Sequence, residues 1–242
     1  MENYKIALVE EMASKGNRKA IYEMERLYID YIDTDEEPNE KQKLVVRYLL
    51  ELAEKNDSDA ILSLGSMYYQ GRGVQQSYKE AVKWYTKLAE KLDPDGLCYL
   101  GYCYYYGRDI DIDYEKAYSC FSQSAFLRQA NGMFKLGDMY YFGLHVKEDK
   151  EAAFYWYNEA EDAATSQYER ASIAYRLGKC YLYGEGIEQD LSLALRKLQY
   201  AERIFFELID EGDPVEPTLK KVRKEIDVVR NKLYAFYELN DV

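Results

Sequence analysis

An eight-residue pattern, Leu-Gly-x-x-Tyr-x-x-Gly, occurs four times in this chain. Its copies begin at Leu64, Leu100, Leu136 and Leu177, so the offsets are 36, 36 and 41 residues. Self-similarity at a fixed period of about 20–50 residues is typical of solenoids, in which each unit packs only on its neighbours. The pattern therefore predicts a repeat architecture, and the length of 242 residues need not mean two globular domains.

Each unit is predicted to contain two helices, which we call helix A and helix B. In the first copy, Ala60, Leu64 and Tyr68 recur at intervals of four, which places them along one face of helix A. Gly71 follows, and glycine tolerates the left-handed conformation that ends many helices. Ser77 is the predicted N-cap of helix B.

The glycine that follows the leucine lies inside helix A, where glycine costs about 0.5–1 kcal/mol relative to alanine. Its recurrence in four copies predicts a compensating close approach of helix B. We expect the small residues that recur in phase on helix B to make that approach. These glycines are Gly65, Gly101, Gly137 and Gly178, and the small residues are Ala81, Ala117, Ala153 and Ala194.

These motifs resemble the Sel1-like repeat family, a relative of the tetratricopeptide repeat. The matching pattern is a small residue, Leu-Gly-x-x-Tyr, Gly-x-Gly-Val and Ala-x-x-Trp, found here at residues 60, 64–68, 71–74 and 81–84. Two copies depart at the second glycine of the turn, where Asp109 and His145 stand. The resemblance covers about residues 59–202. It implies an all-α fold, a right-handed α-solenoid of Sel1-like, tetratricopeptide-like helix-turn-helix repeats.

The predicted organisation is one continuous solenoid. Residues 1–56 form a degenerate first repeat with an acidic insertion at 33–40, and residues 57–210 hold four repeats at 59–92, 95–128, 131–163 and 170–210. Residues 218–240 carry an apolar stripe at alternating spacings of three and four on one long helix. The favoured interpretation is a C-terminal capping helix that seals the last repeat. The alternative is a helix that mediates dimerisation.

Composition narrows the possible partners. With 32 basic and 44 acidic residues the net charge is −12, and such a surface repels phosphate backbones. We therefore expect no nucleic-acid partner and no membrane partner. The sequence has no 18-residue apolar run and no apolar leader, so we expect a cytoplasmic protein without a secretory signal. The four cysteines include no Cys-x-x-Cys and are expected to be reduced and structural.

Catalytic and cofactor motifs are absent from the sequence. It lacks a nucleophile elbow, a Walker A loop and a His-Glu-x-x-His zinc motif. A catalytic triad would depend on the single histidine, His145, which occupies a turn position of the repeat. We therefore expect no catalytic residue, no cofactor and no metal. The alternative is an enzyme or small-molecule binder with a pocket at a repeat junction. The resemblance extends to cysteine-rich relatives linked to β-lactamase activity, but those carry regularly spaced disulfide pairs that this chain lacks.

The resemblance to tetratricopeptide solenoids implies that helix A lines a concave groove. Three rows of helix-A residues are then expected to face the groove and bind a protein or peptide partner. Tyrosine, present 27 times, suits such a surface because it combines a large ring with a hydrogen-bonding hydroxyl. The predicted rows are Leu62, Cys98, Phe134 and Tyr175; Ser66, Tyr102, Asp138 and Lys179; and Tyr69, Tyr105, Tyr141 and Leu182.

The expected ligand follows from the charges near these rows. Acidic rims such as Asp138 and Glu185 favour a basic partner, whereas the only cations are Lys179 and, in the first unit, Arg26. The rows therefore argue against a ligand held by its terminal carboxylate. We expect a non-catalytic interaction scaffold or adaptor, either monomeric or dimeric through the last helix. For each single tyrosine, burial against the next repeat remains the alternative to exposure.

Overall fold

The computed structural model describes residues 2–29 and 38–240, and every regular element within them is a helix. The predicted all-α fold is confirmed, whereas most of the predicted acidic insertion lies outside the described residues. In none of these helices are length and apolar character sufficient to cross a bilayer. The helices are α1 (Glu2–Ser14), α2 (Arg18–Tyr28), α3 (Glu40–Glu54), α4 (Ser58–Gln70), α5 (Tyr78–Ala89), α6 (Pro94–Tyr106), α7 (Tyr114–Phe126), α8 (Ala130–Phe142), α9 (Lys150–Ala163), α10 (Gln167–Tyr183), α11 (Leu191–Asp210) and α12 (Glu216–Asn240).

The helices belong to two compact units. The N-terminal unit spans Met1–Ala117 and the C-terminal unit spans Tyr118–Val242, with the boundary inside α7. In the N-terminal unit, each of α1 to α5 packs on the helix that follows it. In the C-terminal unit, each of α8 to α11 does the same. Packing between neighbours in sequence is the arrangement expected of repeats. Helix A of the four repeats is α4, α6, α8 and α10, and helix B is α5, α7, α9 and α11.

A glycine ends helix A in all four repeats, as the sequence predicts. Its φ lies between 64° and 77°, the left-handed region that glycine adopts without a steric cost. Its N–H donates to the carbonyl four residues earlier. The four residues are Gly71, Gly107, Gly143 and Gly184.

In two repeats the second glycine position of the turn contacts the start of the helix B before it. A Cβ built on Gly186 would lie 1.9 Å from the Lys150 carbonyl oxygen at the start of α9, so only glycine fits there. Asp109 keeps the left-handed conformation, with φ at 52°, although it is not glycine. Its Oδ2 accepts a hydrogen bond from the Lys79 N–H in the first turn of α5, at 3.0 Å. In this repeat, a hydrogen bond between Asp109 and the first turn of α5 replaces the close backbone contact that Gly186 makes with α9.

Helix B begins at the predicted type of cap. The Ser77 Oγ accepts a hydrogen bond from the Glu80 N–H at 3.3 Å. Asp149 and Asp190 cap α9 and α11 in the same way, at 2.9 Å and 2.8 Å. Each cap satisfies an N–H that has no partner within its own helix.

In three repeats the glycine inside helix A makes room for a large residue of helix B, which adds a contact that the expectation of small residues left out. A Cβ built on Gly137 would lie 2.7 Å from Cε1 of Tyr157, and one built on Gly178 would lie 2.8 Å from Cγ of Leu198. The Ala153 carbonyl oxygen also lies near the Cβ built on Gly137, at 3.3 Å. The close approach of the two helices therefore buries a ring or a leucine one turn after the alanine.

The last helix covers the last repeat. Four apolar residues of α12 are buried in one cluster with residues of α10 and α11, including Phe205. Leu233 is only partly buried and Phe236 is exposed, so the covered stripe ends before the helix does. This helix has the position of the predicted cap, and dimerisation through it stays a prediction. The four buried residues are Leu219, Val222, Ile226 and Val229.

Candidate functional site

The groove residues predicted in the N-terminal unit lie on α4 and α6. Cys98 is corrected, because its short side chain is buried within the packed interior and does not reach the surface. The remaining five are half-buried, so part of each side chain is accessible. They are Leu62, Ser66, Tyr69, Tyr102 and Tyr105.

The groove residues predicted in the C-terminal unit divide evenly. Leu182 is buried in the cluster that α12 covers, and Tyr141 is covered by the Lys150 ammonium, whose Nζ lies 3.5 Å from its ring centre. Asp138 is buried within a group of ionised side chains. These three are therefore corrected from groove-facing to buried. The half-buried residues are Phe134, Tyr175 and Lys179.

Three tyrosines form a stripe along α6. Tyr99, Tyr102 and Tyr106 follow one another at intervals of three and four, so they share one helix face. The rings of Tyr102 and Tyr106 are nearly parallel, with their centres 6.1 Å apart, and Tyr99 lies 6.4 Å from Tyr102. Tyr99 and Tyr106 keep 37% and 46% of their surface exposed. We call these three residues the α6 tyrosine stripe.

Neighbouring side chains hold this stripe at both ends. The Tyr99 ring stacks on the buried ring of Tyr85 from α5, with the centres 5.1 Å apart. The rings of Tyr106 and Tyr105 pack edge to face, with their centres 4.8 Å apart. The Arg108 guanidinium carbon lies 5.8 Å from the centre of the Tyr106 ring. Rings that are already positioned lose little conformational entropy when a partner binds. The stripe is therefore a preorganised aromatic surface.

A buried carboxylate on α8 is paired with donors from three helices. Asp138, only 1% exposed, accepts hydrogen bonds from Lys135 Nζ at 3.1 Å and from the Tyr157 hydroxyl of α9 at 2.8 Å. The Arg176 Nε of α10 lies 3.1 Å from its Oδ1. Burial and the adjacent carboxylate raise the pKa of Tyr157 well above 10, so its hydroxyl stays protonated and donates. Two cations offset the Asp138 charge, which corrects the expectation that this residue attracts basic ligands.

Two further cations, Lys150 and Lys179, join Arg176 around the ring of Tyr141. Arg176 and Lys179 each lie 6.0 Å from the ring centre, on the α10 side. Lys150 donates a hydrogen bond to the Tyr141 carbonyl at 2.7 Å, and the Tyr141 hydroxyl donates to Glu185 at 2.6 Å. The surface formed by α8 and α10 thus combines several cations with aromatic rings, in a chain that is acidic as a whole.

The three predicted rows omit the residues that carry most of this charge. Lys135 and Arg176 occupy the position immediately before Leu-Gly, which holds Ser63 and Tyr99 in the earlier repeats. The rows follow the related solenoids by analogy, and that analogy leaves this position out. The sequence did contain a signal for these residues. The position before Leu-Gly changes to a cation in the last two repeats, next to residues predicted to be accessible.

Two surface clefts of the C-terminal unit have charged walls. One, of about 550 Å³, lies at the turn between α10 and α11 and includes Lys150 and Glu188. In the other, of about 510 Å³, the Lys197 Nζ lies 2.6 Å from both carboxylate oxygens of Glu161. The lining residues of this second cleft, which we call the α9–α11 cleft, are Glu161, Arg170, Arg196, Lys197 and Tyr200.

The single histidine lies where the sequence predicts a surface turn. His145 is exposed and has a φ of 65°, and its ring centre lies 5.5 Å from that of Tyr118. In the part of the chain that the structure describes, no three histidine, cysteine or acidic side chains are grouped so that they could hold a metal ion.

Comparison with known proteins identifies similar repeats. The sequence model of the Sel1 repeat matches residues 58–91, 94–125, 130–164 and 171–196, which together make up about half of the chain. Among curated proteins, none matches significantly.

Three solved structures illustrate the similarity. A Sel1 repeat protein from Oxalobacter formigenes is 27% identical, with a TM-score of 0.60 over 79% of this chain and 80% of that one. The c5321 protein, a protective antigen of uropathogenic Escherichia coli with an SLR fold, is 25% identical, with a TM-score of 0.65 over 85% of this chain but only 43% of that one. A putative sel1 repeat protein from Klebsiella pneumoniae, 18% identical over 93% of this chain and 99% of that one, has a TM-score of 0.52 and supports the fold alone.

Proposed function

Because the chain belongs to the Sel1 repeat family, whose members typically serve as protein–protein interaction scaffolds, we propose that it binds a protein or peptide partner through the accessible faces of its helices A. The resemblance drawn from the sequence is confirmed at the level of the family. The proposed role is that of a non-catalytic scaffold or adaptor.

The α6 tyrosine stripe is the observation that carries this proposal. Its rings are held in place by Tyr85 and Arg108, yet two of them keep more than a third of their surface exposed. A tyrosine buries a large apolar area on binding and can form a hydrogen bond through its hydroxyl. Aromatic residues of this kind dominate the binding energy of many protein interfaces. Further proposed contact residues are Leu62, Ser66, Tyr69 and Tyr105 on the N-terminal unit and Phe134, Tyr175 and Lys179 on the C-terminal unit.

A comparative capture experiment tests the proposal. The immobilised chain is incubated with a lysate of its source organism, and the retained proteins are identified by mass spectrometry. The same experiment is repeated with the double variant Tyr102→Ala/Tyr106→Ala. We expect at least one protein retained by the wild type to be lost with the variant, because removal of two central aromatic contacts costs about 2 kcal/mol or more each at a binding hot spot.

The matched control is Tyr155→Ala. This tyrosine is 56% exposed and lies on a helix B, α9, rather than on a helix A. It should leave the retained proteins unchanged. Equal recovery by the wild type and the double variant, with both folded by circular dichroism, would contradict the role of the stripe.

A further inference from the structure

The ionised side chains of α8 and α10 leave positive charge at the surface of the C-terminal unit. Asp138 is paired with both Lys135 and Arg176, so this buried group alone carries one excess positive charge. Lys179, on the next turn of α10, adds another at the surface. The local excess is opposite in sign to the net charge of −12 of the whole chain.

The acidic groups near these cations have other roles. Asp138 is buried, so its carboxylate cannot reach a ligand. Glu185 accepts a hydrogen bond from the Tyr141 hydroxyl at 2.6 Å. Glu148 pairs with Lys150 at 3.3 Å. On α12, Glu225 accepts a hydrogen bond from the Tyr183 hydroxyl at 2.6 Å. The cations of α10 near the Tyr141 ring are Arg176 and Lys179, and both are half-buried.

Arg176 is oriented before any ligand arrives. Its Nε faces Asp138, and its guanidinium carbon lies 5.4 Å from the centre of the Phe142 ring. An arginine has five N–H donors in a planar fork, so the contact through Nε leaves the terminal nitrogens able to bind a second carboxylate. Holding the guanidinium between a carboxylate and an aromatic ring reduces the entropy lost when that second carboxylate binds.

Aromatic rings beside these cations indicate what else the ligand contains. Phe142 is 48% exposed. Tyr183, at the end of α10, is exposed as well and lies beside Lys232 and Glu225 of α12. Tyr175, on the preceding turns of α10, is half-buried. A site with two accessible cations and several rings matches a segment in which acidic residues stand next to apolar ones.

We propose that this surface, the α8–α10 cationic face formed by Phe142, Arg176 and Lys179, binds a carboxylate of an acidic peptide segment. The inference rests on the proposed scaffold function and names the chemistry of its partner at this unit. It replaces the basic partner expected from the sequence. The Arg176 fork binds the carboxylate, Lys179 adds a second charge contact, and Asp138 keeps Arg176 in position.

A titration of the full, ¹⁵N-labelled chain with hexaglutamate tests the proposal by NMR. The chain repels a polyanion as a whole, so saturable binding requires a local positive site. We expect saturable shifts of the Arg176 Nε–H and of backbone amides in α8 and α10. The affinity should fall as sodium chloride is raised from about 50 to about 500 mM, because salt screens exposed charges. Saturable shifts at these positions with hexalysine instead, or no shift with hexaglutamate, would overturn the proposal.

Two variants of the proposed site and one control variant in the α9–α11 cleft make the test specific. Arg176→Gln keeps an N–H donor near Asp138 but removes the fork, and it should weaken hexaglutamate binding about tenfold, equivalent to one good charged hydrogen bond. Lys179→Gln leaves the ion pairs of Asp138 intact, so its binding can be measured even if Arg176→Gln does not fold. It should weaken hexaglutamate binding about threefold. Arg196→Gln, in the α9–α11 cleft, should have no effect. Loss of binding in Arg196→Gln alone would place the anion site in that cleft.

A titration with phosphate and a comparison with the capture experiment show which of the two proposals a negative result contradicts. Inorganic phosphate at the same concentration should cause weaker shifts at Arg176, since it offers nothing to the aromatic rings; equal or stronger binding of phosphate would contradict a peptide ligand. Absence of hexaglutamate binding combined with loss of partner capture in the α6 variant would refute this inference alone. Hexaglutamate binding combined with unchanged partner capture would refute the proposed role of the α6 tyrosine stripe alone.

Discussion

The ring of Tyr85 occupies the space that a side chain at position 65 would need: a Cβ built on Gly65 would lie 2.5 Å from Cε1 of Tyr85. The glycine on helix A and the tyrosine on helix B are thus a complementary pair. The same relationship links Gly137 to Tyr157. It explains why a residue unfavourable for helices recurs inside helix A.

Gly65→Ala is therefore expected to destabilise the protein, although alanine is the better helix former. Overpacking against a fully buried ring costs about 1–3 kcal/mol, which exceeds the gain of up to about 1 kcal/mol in helix propensity. Urea unfolding followed by circular dichroism measures the difference. Ser63→Ala, in the same helix but only half-buried, is the control and should be close to neutral. An unchanged midpoint for Gly65→Ala would contradict the packing argument.

Asp138→Ala is expected to be among the most destabilising substitutions. It leaves the buried Lys135 and the half-buried Arg176 without their carboxylate, and removal of one member of a buried ionic group costs about 3–5 kcal/mol. The free energy of unfolding in urea is the measurement. Asp162→Ala, at an exposed position of α9, should cost little. Asp138→Asn should be milder, because its amide oxygen can still accept the Tyr157 hydrogen bond.

Asp57 is expected to make stability fall at acid pH. It caps α4, and the Arg18 guanidinium that donates to it holds its pKa at about 2, below its ordinary value of 3.8. Because the folded-state pKa lies below the unfolded one, the charged form stabilises the fold fully above about pH 4, and this contribution is lost as the pH falls towards 2. The contribution of this ion pair to stability is reduced by solvent screening, since half of the Arg18 side chain is exposed.

The variant Asp57→Asn isolates this effect. Asparagine is an equally good N-cap, so only the charge is removed. The difference in unfolding free energy between wild type and variant should be constant above about pH 5 and should shrink between about pH 4 and 2. Asp190→Asn, at the N-cap of α11, is the matched control. A constant difference for Asp57→Asn down to pH 2 would argue against the depressed pKa.

The four cysteines are free and buried, and they are expected to be unreactive in the folded protein. Burial raises the pKa of the Cys120 thiol to about 11 and that of Cys180 to about 12, so neither is a thiolate at neutral pH. Intact-mass measurement after iodoacetamide treatment at about pH 8 should show no adduct, and four adducts in concentrated guanidinium chloride. Ser192→Cys, at an exposed position of α11, should add one adduct to the folded protein. Adducts on the folded wild type would contradict the burial.

The candidate site shows how far sequence reasoning reached. Tyr102 and Lys179, which helical spacing assigns to helix A, are half-buried there, and their role in binding stays a prediction. Helical spacing could not place Asp138, whose burial depends on Tyr157 and Arg176, 19 and 38 residues further along the chain. Spacing along one helix says which residues share a face, but not which neighbouring helix covers that face.

The same division applies to the protein as a whole. The sequence by itself determined the helices, their ends at Gly71 and its three counterparts, and the family, because these follow from local backbone preference and from repetition. Only the tertiary structure decided that Gly65 makes room for Tyr85, that Cys98 and Leu182 are buried, and that Lys135 and Arg176 meet over one carboxylate. Those outcomes depend on the distance and angle between packed helices, which are set by side chains far apart in the chain.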